Sequence, residues 1–305
     1  MRLCFDATAF GADLESAIEL ASANEIGAIE YSFAPFAPST ASKQELKAEL
    51  QEERLYFEGL RARADAGGVS FAVINIDYVL DMQNKSAQKQ FLPMIKQLAR
   101  VAEHLGCNKI AFYLAPPRQG KQDLQDFARD FQTFFDDLLA KLGQHKKGAW
   151  PLKFLLRLDT PKELRGQSIK YWRPFEPDEW RALLAACPGL GLSYSPGDCL
   201  WMGLDYLQNL SSFASAIEHV SAHDVELNGN LLNDSGMFGP LFWRYRLVGK
   251  GQVDWRQVLE LLKLYDYQGC LSIQFDDEFI EAGDTLGLLE ALNEQTRVFR
   301  PLVRG

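Results

Sequence analysis

The sequence predicts a single (β/α)8 barrel. Three observations predict it: short apolar or alternating runs of strand length recur along the chain, a longer run at helical spacing follows each, and such pairs number eight. The clearest pair lies between Arg246 and Asp277. A turn with Gly249 and Gly251 leads to Asp254, a helix-capping residue type, and Trp255, Val258, Leu259, Leu262 and Tyr265 then recur at helical spacing. After the break at Gly269, the run Cys270 to Asp276 alternates apolar and polar residues, as a half-polar strand does.

The remaining elements follow in order. Residues 2–6 read as the first strand, Asp13 to Ala23 as a helix, and Ala28 to Ser32 as the second strand, with Glu30 on the face opposite Ile29 and Tyr31. A polar helix from Lys43 to Ala64 stops at Gly67-Gly68. Val69 to Ile76 is the third strand, Ala87 to Leu105 its helix with Gly106 as the stop, and Lys109 to Leu114 the fourth strand. Asp123 to Leu142 is a helix closed by Gly143, Leu152 to Leu158 the fifth strand, and Pro177 to Ala186 the next helix. Gly191 to Ser195 and His219 to Asp224 are the sixth and seventh strands, separated by a helix over Leu204 to Ala216. A last helix spans Asp284 to Phe299. No linker interrupts this alternation, so residues 1–305 are expected to form one domain.

Composition narrows the function classes. Thirty-two Lys and Arg against 41 Asp and Glu give a net charge of −9, which leaves no general basic surface for a phosphate backbone. Nucleic acid is therefore not an expected partner. The N-terminus carries no secretory pattern and no run approaches eighteen apolar residues, so the expected location is the cytoplasm, off the membrane. Five scattered cysteines (Cys4, Cys107, Cys187, Cys199, Cys270) form no C-x-x-C pair and read as reduced thiols.

The later strands are anomalous for a barrel. If their apolar sides face the helices, the other side presents Arg157 and Asp159, then Ser193 and Ser195, then His219, Ser221 and His223, then Ser272, Gln274 and Asp276. Barrel interiors are normally branched aliphatics. An unpaired buried polar group costs about 1–3 kcal/mol, so this many are tolerable only where they bond one another, water or a ligand. The pattern marks a polar site at the carboxyl ends of these strands.

These residues carry a resemblance. RYRLVGKGQVDW followed by LSIQFDDEF, together with GLSYSPGDCLWMG, HVSAHDVE and GAIEY, resembles the xylose isomerase-like TIM barrels, from Gly27 to Asp277. That superfamily holds sugar-phosphate isomerases, ketose epimerases, inosose dehydratases and apurinic endonucleases. The resemblance implies a divalent metal on a Glu, an Asp, a His and a Glu from strands five to eight. The matching positions here are Arg157, Ser195, Ser221 and Gln274, none of which is the implied ligand. Asp198 stands where the resemblance implies a His, and His223 where it implies a Lys. Glu30, Asp224, Arg246, the Gly249/Gly251 turn and Asp254 match. A fixed guanidinium charge about 4 Å from a divalent ion repels it by roughly 8 kcal/mol at an effective dielectric of ~20. The sequence thus predicts a degenerate metal site, with no metal and no other cofactor.

Several residues have two readings each. Arg157 binds a carboxylate or phosphate of a ligand, or pairs with Asp198 or Asp159 and plugs the site. His223 is a general base, or a hydrogen-bonded residue at a strand end. Asp198 and Asp276 move protons beside it, or serve as ion-pair partners of Arg157. Gln274, Ser195, Ser221 and Glu30 are substrate-binding candidates, and Arg246 holds substrate or ties down a loop. Phe33, Phe36, Tyr171, Trp172, Phe175, Trp201 with Met202, Met237 with Phe238, and Phe242 with Trp243 stack on sugar rings or form a homo-oligomer contact. The expectation is a carbohydrate-binding barrel whose ligand, a sugar, sugar acid or sugar phosphate, is held through Arg157. The alternatives are an active sugar isomerase or epimerase, metal-independent or with a re-sited metal, and a non-catalytic partner subunit. DNA repair fits poorly, because the chain has four His and an acidic balance.

Overall fold

The structure, a computed structural model, describes residues 1–11, 13–33, 43–117, 122–144, 147–161, 175–280 and 284–303. Phe36, Tyr171, Trp172 and His145 lie outside the described residues. In chain order the strands are β1 (Arg2–Asp6), β2 (Ala28–Phe33), β3 (Ser70–Leu80), β4 (Lys109–Leu114), β5 (Lys153–Arg157), β6 (Leu190–Tyr194), β7 (Ile217–Ala222), β8 (Asp224–Leu227), β9 (Trp243–Arg246) and β10 (Cys270–Ile273). The helices are α1 (Leu14–Ala23), α2 (Lys43–Ala66), α3 (Lys85–Leu105), α4 (Leu124–Lys141), α5 (Pro177–Ala186), α6 (Pro196–Trp201), α7 (Tyr206–Phe213), α8 (Gly229–Ser235), α9 (Trp255–Leu264) and α10 (Thr285–Val303). Eight strands close a parallel barrel in the order β1-β10-β7-β6-β5-β4-β3-β2, the (β/α)8 architecture that the alternation predicts.

The caps explain where the helices begin. Asp13, Asn84, Asp123, Asp205 and Asp254 each accept a backbone N–H of the following first turn, which satisfies donors that have no partner within the helix. Gly106 closes α3 in the left-handed region at φ 70°.

Three departures from the expected pattern bear on the site. The seventh strand ends at Ala222, and Asp224 opens a separate antiparallel pair, β8 with β9, in which Asp224 stands opposite Arg246 and Leu227 opposite Trp243. Strict alternation therefore holds for the barrel but not for the chain. The stretch after β6 folds as α6, because Ser195 caps it and Pro196 takes the first helical position, where its missing N–H costs nothing. The third strand continues past Ile76 to Leu80 through a register shift between Ile76 and Val79.

The chain packs as two compact units: residues 13–156 with 176–191, and residues 1–12, 157–175 and 192–305. The first holds β2, β3 and β4 with α1 to α5, and its strands bury Val73, Ala111 and Leu155 as one aliphatic cluster. Phe91, Phe112, Phe131, Phe135 and Phe154 touch ring to ring in series, tilted, stacked and edge-on, at 5.5 to 6.4 Å between successive centroids. The second holds β1, β7 and β10 with the β8–β9 pair and α6 to α10. Its strands bury Ser193, His219, Ser221 and Ser272 instead, with Ser193 opposite His219 and Ser272 opposite Ser221. Among the described residues, no helix is long and apolar enough to cross a membrane.

Candidate functional site

Except for Glu30, the polar site candidates Arg157, Ser195, Asp198, Ser221, His223, Arg246, Gln274 and Asp276 fall in the second unit, where β5 ends and where β6, β7 and β10 run out; Phe33 lies in the first. Glu30 is buried on β2, at 2% exposure, in the first unit.

Arg157 is the last residue of β5, and two residues on, Asp159 faces it. Arg157 Nε donates to Asp159 Oδ1 at 3.0 Å and Nη2 to Oδ2 at 2.6 Å, with the two side chains 4% and 0% exposed. The planar guanidinium matches both carboxylate oxygens at once. Asp159 is buried, at 1% exposure, on the interior side that the alternation assigns it.

Asp198 sits in the first turn of α6 and gathers its surroundings. Its Oδ1 accepts Thr160 N at 3.0 Å, Thr160 Oγ1 at 2.8 Å, Trp201 Nε1 at 3.1 Å and the Tyr245 hydroxyl at 2.6 Å. Its Oδ2 accepts Ser195 Oγ at 2.5 Å. These bonds fasten α6 to the residues after β5 and to β9. Gly197 permits the close approach, since a Cβ there would stand 2.4 Å from the His223 carbonyl oxygen. Burial pushes the neighbouring Cys199 thiol up to about 12, so this cysteine is no nucleophile.

His223 joins β7 to β8. Its Nε2 lies 3.0 Å from Asp276 Oδ2, and its ring stacks on Tyr245 with centroids 4.4 Å apart. The imidazole is 1% exposed, and Nδ1 is buried with no hydrogen-bond partner. An ionised Asp276 places the proton on Nε2 and leaves Nδ1 as an acceptor. Asp276 reaches outward, with 30% of its side chain exposed.

Gln274 and the serines are buried donors and acceptors. Gln274 Nε2 donates to Ser272 Oγ at 3.2 Å, and its backbone carbonyl accepts Gln295 Nε2 at 3.1 Å. Ser195 and Ser221 are 0% and 2% exposed.

Arg246 is a tie between segments. It pairs closely with Glu226 across the β8–β9 ladder, and its Nε donates to Asp277 Oδ2 at 3.1 Å. Burial pushes Asp277 up, but the amides of Leu247 and Phe279 and the Arg246 guanidinium outweigh it and hold the carboxyl below its ordinary range. Burial also works against the charge of Arg246, yet Asp277 and Glu226 hold its pKa above the ordinary value. Arg244 pairs with the same Glu226 and with Glu278. Beneath this network Asp224 accepts the amides of Val225, Gly249 and Val253 at 2.8, 2.9 and 3.0 Å, so the glycine turn wraps a carboxylate.

The aromatic residues divide. Trp201, Phe242 and Trp243 are 4 to 7% exposed and pack with Val225 and Tyr245 as a core cluster, which removes them from the candidate stacking or contact surface. Phe175 is buried as well. Phe238 and Phe279 stand outside, at 62% and 68% exposure. Thr160 and Tyr245 are the site residues that sequence reading missed. The alternation Trp243-Arg244-Tyr245-Arg246 is a strand signal, but the glycine turn behind it drew the reading toward a loop.

The geometry is thus a buried polar floor with a histidine–carboxylate pair at its edge. Comparisons with known proteins agree with its fold. The sequence model of the xylose isomerase-like TIM barrels matches residues 18–295. The uncharacterized protein YfiH of Bacillus subtilis (strain 168) is 31% identical over 103 residues, 30% of this chain, and the match spans about a third of that relative, 33%. The probable 3-DHS dehydratase AsbF of Bacillus anthracis, involved in petrobactin synthesis, shares the fold at TM-score 0.69 and 13% identity, over 98% of this chain and 99% of its own. A structure of L-ribulose 3-epimerase does so at TM-score 0.65 and 14% identity, over 99% and 93%. With a family match that takes in all but the chain's two ends, this protein belongs to the xylose isomerase-like TIM barrels.

Proposed function

We propose that this protein is a carbohydrate-binding member of its family that works without the divalent metal the resemblance implies. The observation that carries the reading is the buried Arg157–Asp159 pair at the end of β5. A divalent cation needs lone pairs from oxygen, nitrogen or sulfur. Arg157 has none to give; its Nε and Nη2 are N–H donors already directed at Asp159. Ser195 Oγ directs its proton at Asp198. Gln274 and Ser221 are neutral, so the four positions do not fit a catalytic metal. The ground for this differs from the one the sequence suggested. Asp159 balances the guanidinium, so the unfit lies in donor chemistry and not in net repulsion.

In this reading the strand ends supply hydrogen bonds to a ligand's oxygens. Arg157 contributes N–H groups as half of a pair, and Gln274, Ser195 and Ser221 line the same polar layer. Elemental mass spectrometry of the purified protein, beside a thermal-shift titration with Mn, Mg, Zn and EDTA, tests the metal claim. The expected result is less than about 0.1 metal per chain and no saturable shift. One tight metal per chain would sink it.

One observation favours a catalytic alternative. His223, oriented by Asp276 and carrying an unpartnered Nδ1, has the form of a proton acceptor. Asp198, with both oxygens engaged, is a positioning residue in that scheme, so proton movement falls to His223 and Asp276. Nuclear magnetic resonance of ketoses in deuterated water decides it. Binding without deuterium uptake at the carbon next to the carbonyl keeps the binding reading; uptake that His223→Gln abolishes replaces it.

A further inference from the structure

We infer that the first unit carries a ligand site of its own, for a small organic phosphate: a multiply charged anion joined to an apolar or aromatic body. A cavity of about 570 Å³ opens where α3 and α4 end and the chain enters β4 and β5, a size that holds small-molecule ligands. These are the amino ends of the two strands, not the carboxyl ends where barrels place their chemistry. All its lining residues belong to the first unit, whereas Arg157 belongs to the second.

The cavity is built from two segments. One is the outer face of α3, on which Lys96, Ala99, Arg100 and Glu103 follow at helical spacing. The other is the end of α4 with the turns that lead from Lys141 to Leu152. Gly143 and Gly148 allow those turns, at φ 72° and 82°. Trp150 Nε1 donates to the Cys107 carbonyl at 2.7 Å, which fixes the indole in the lining.

The charge here runs against that of the chain. The whole carries −9, yet between Leu138 and Leu158 there is no Asp or Glu, while Lys141, His145, Lys146, Lys147, Lys153 and Arg157 fall in that stretch. Four lining residues are cations, Lys96, Arg100, Lys141 and Lys147, against Glu103 as the acid. Lys141 is answered by Asp137 at 2.5 Å. Arg100 is answered loosely: its Nε stands 3.5 Å from Glu53 Oε1 without a hydrogen bond, and its Nη1 donates to the Lys96 carbonyl at 3.4 Å. Lys96 and Lys147 are exposed and, among the described residues, enter no ion pair. Lys146, outside the described residues, carries the same sign.

Helix dipoles do not account for the two unanswered lysines. Lys141 ends α4, where a cation complements the dipole, but Lys96 stands nine residues before the end of α3 and Lys147 six beyond the end of α4. An ammonium is a compact charge with three donors, and a phosphate offers it several oxygens. The indole of Trp150, with Leu142 and Leu152, gives the ligand's body an apolar surface.

Isothermal titration calorimetry with ADP, inorganic pyrophosphate and adenosine tests the inference. The expected result is binding of ADP, pyrophosphate weaker by about tenfold, and no detectable heat from adenosine. The double variant Lys96→Glu with Lys147→Glu should weaken ADP by about tenfold or more and keep the melting temperature within about two degrees, because both side chains are exposed. Lys147→Ala alone, in a turn outside the helices, should cost about threefold and serves if the double variant does not fold. Adenosine as tight as ADP overturns the role of the anion, and pyrophosphate as tight as ADP overturns that of the body. Absence of ADP binding, or ADP binding that the lysine variants leave unchanged, overturns the site.

Discussion

Asp198 shows how a residue in a catalytic-looking position acquires a different duty. A carboxylate offers about four acceptor sites, and here the five hydrogen bonds from Thr160, Trp201, Tyr245 and Ser195 use them. Removing the side chain withdraws the acceptor from several buried donors. Each buried donor left unsatisfied costs about 1–3 kcal/mol, and Thr160 N keeps a weaker contact with the Tyr245 hydroxyl at 3.3 Å. Asp198→Ala should therefore lose about 3–5 kcal/mol of stability. Asp198→Asn should lose less, about 1–2 kcal/mol, because its amide oxygen can still serve the four donors while its NH2 donates to Ser195 Oγ. Urea denaturation followed by Trp fluorescence measures both. Equal losses in the two variants would show that the acceptor role is not what holds Asp198 in place.

At the scale of elements, the β8–β9 pair and α6 decide the site, and these are the elements the sequence hid. The barrel strands and outer helices were legible because burial imposes a period on their residues, as the run from Trp255 to Tyr265 shows. Asp224 to Leu227 and Trp243 to Arg246 are four residues each, too short for a period to stand out beside a chain break and a glycine turn. Pro196-Gly197 reads as a breaker, yet it starts a helix, because Ser195 caps it and Gly197 allows the His223 backbone within reach. The same contrast holds for the site. Which residues are polar and inward could be read from alternation, and Arg157, His223, Gln274 and Asp276 do gather in one unit. Their partners could not be read. Whether Arg157 met Asp159, Asp198 or a ligand depended on the turn after β5, and the hydroxyl of Tyr245 arrives from a strand 85 residues beyond Thr160. Gly251 is legible only afterwards: a Cβ there would stand 2.2 Å from Asp224 Oδ1, so the turn closes on the carboxylate only with glycine.

At the scale of the whole molecule, the two compact units do not follow the chain. The backbone passes between them after residues 12, 156, 175 and 191. Two of these passages fall inside strands, since β5 spans Lys153–Arg157 and β6 spans Leu190–Tyr194. A unit that folds alone is normally bounded by exposed linkers through which few contacts cross, and a strand interior is the opposite of such a boundary. Splitting β5 or β6 would leave backbone N–H and C=O groups of the ladder without partners. We therefore propose that residues 1–305 form one folding domain. Differential scanning calorimetry should give a single transition whose calorimetric and van't Hoff enthalpies agree within about 10–15%. Near-ultraviolet and far-ultraviolet circular dichroism should lose their signals at one midpoint. Two resolved transitions would show that residues 13–156 with 176–191 hold their structure independently, and the barrel would then be an assembly of halves and not a unit of stability.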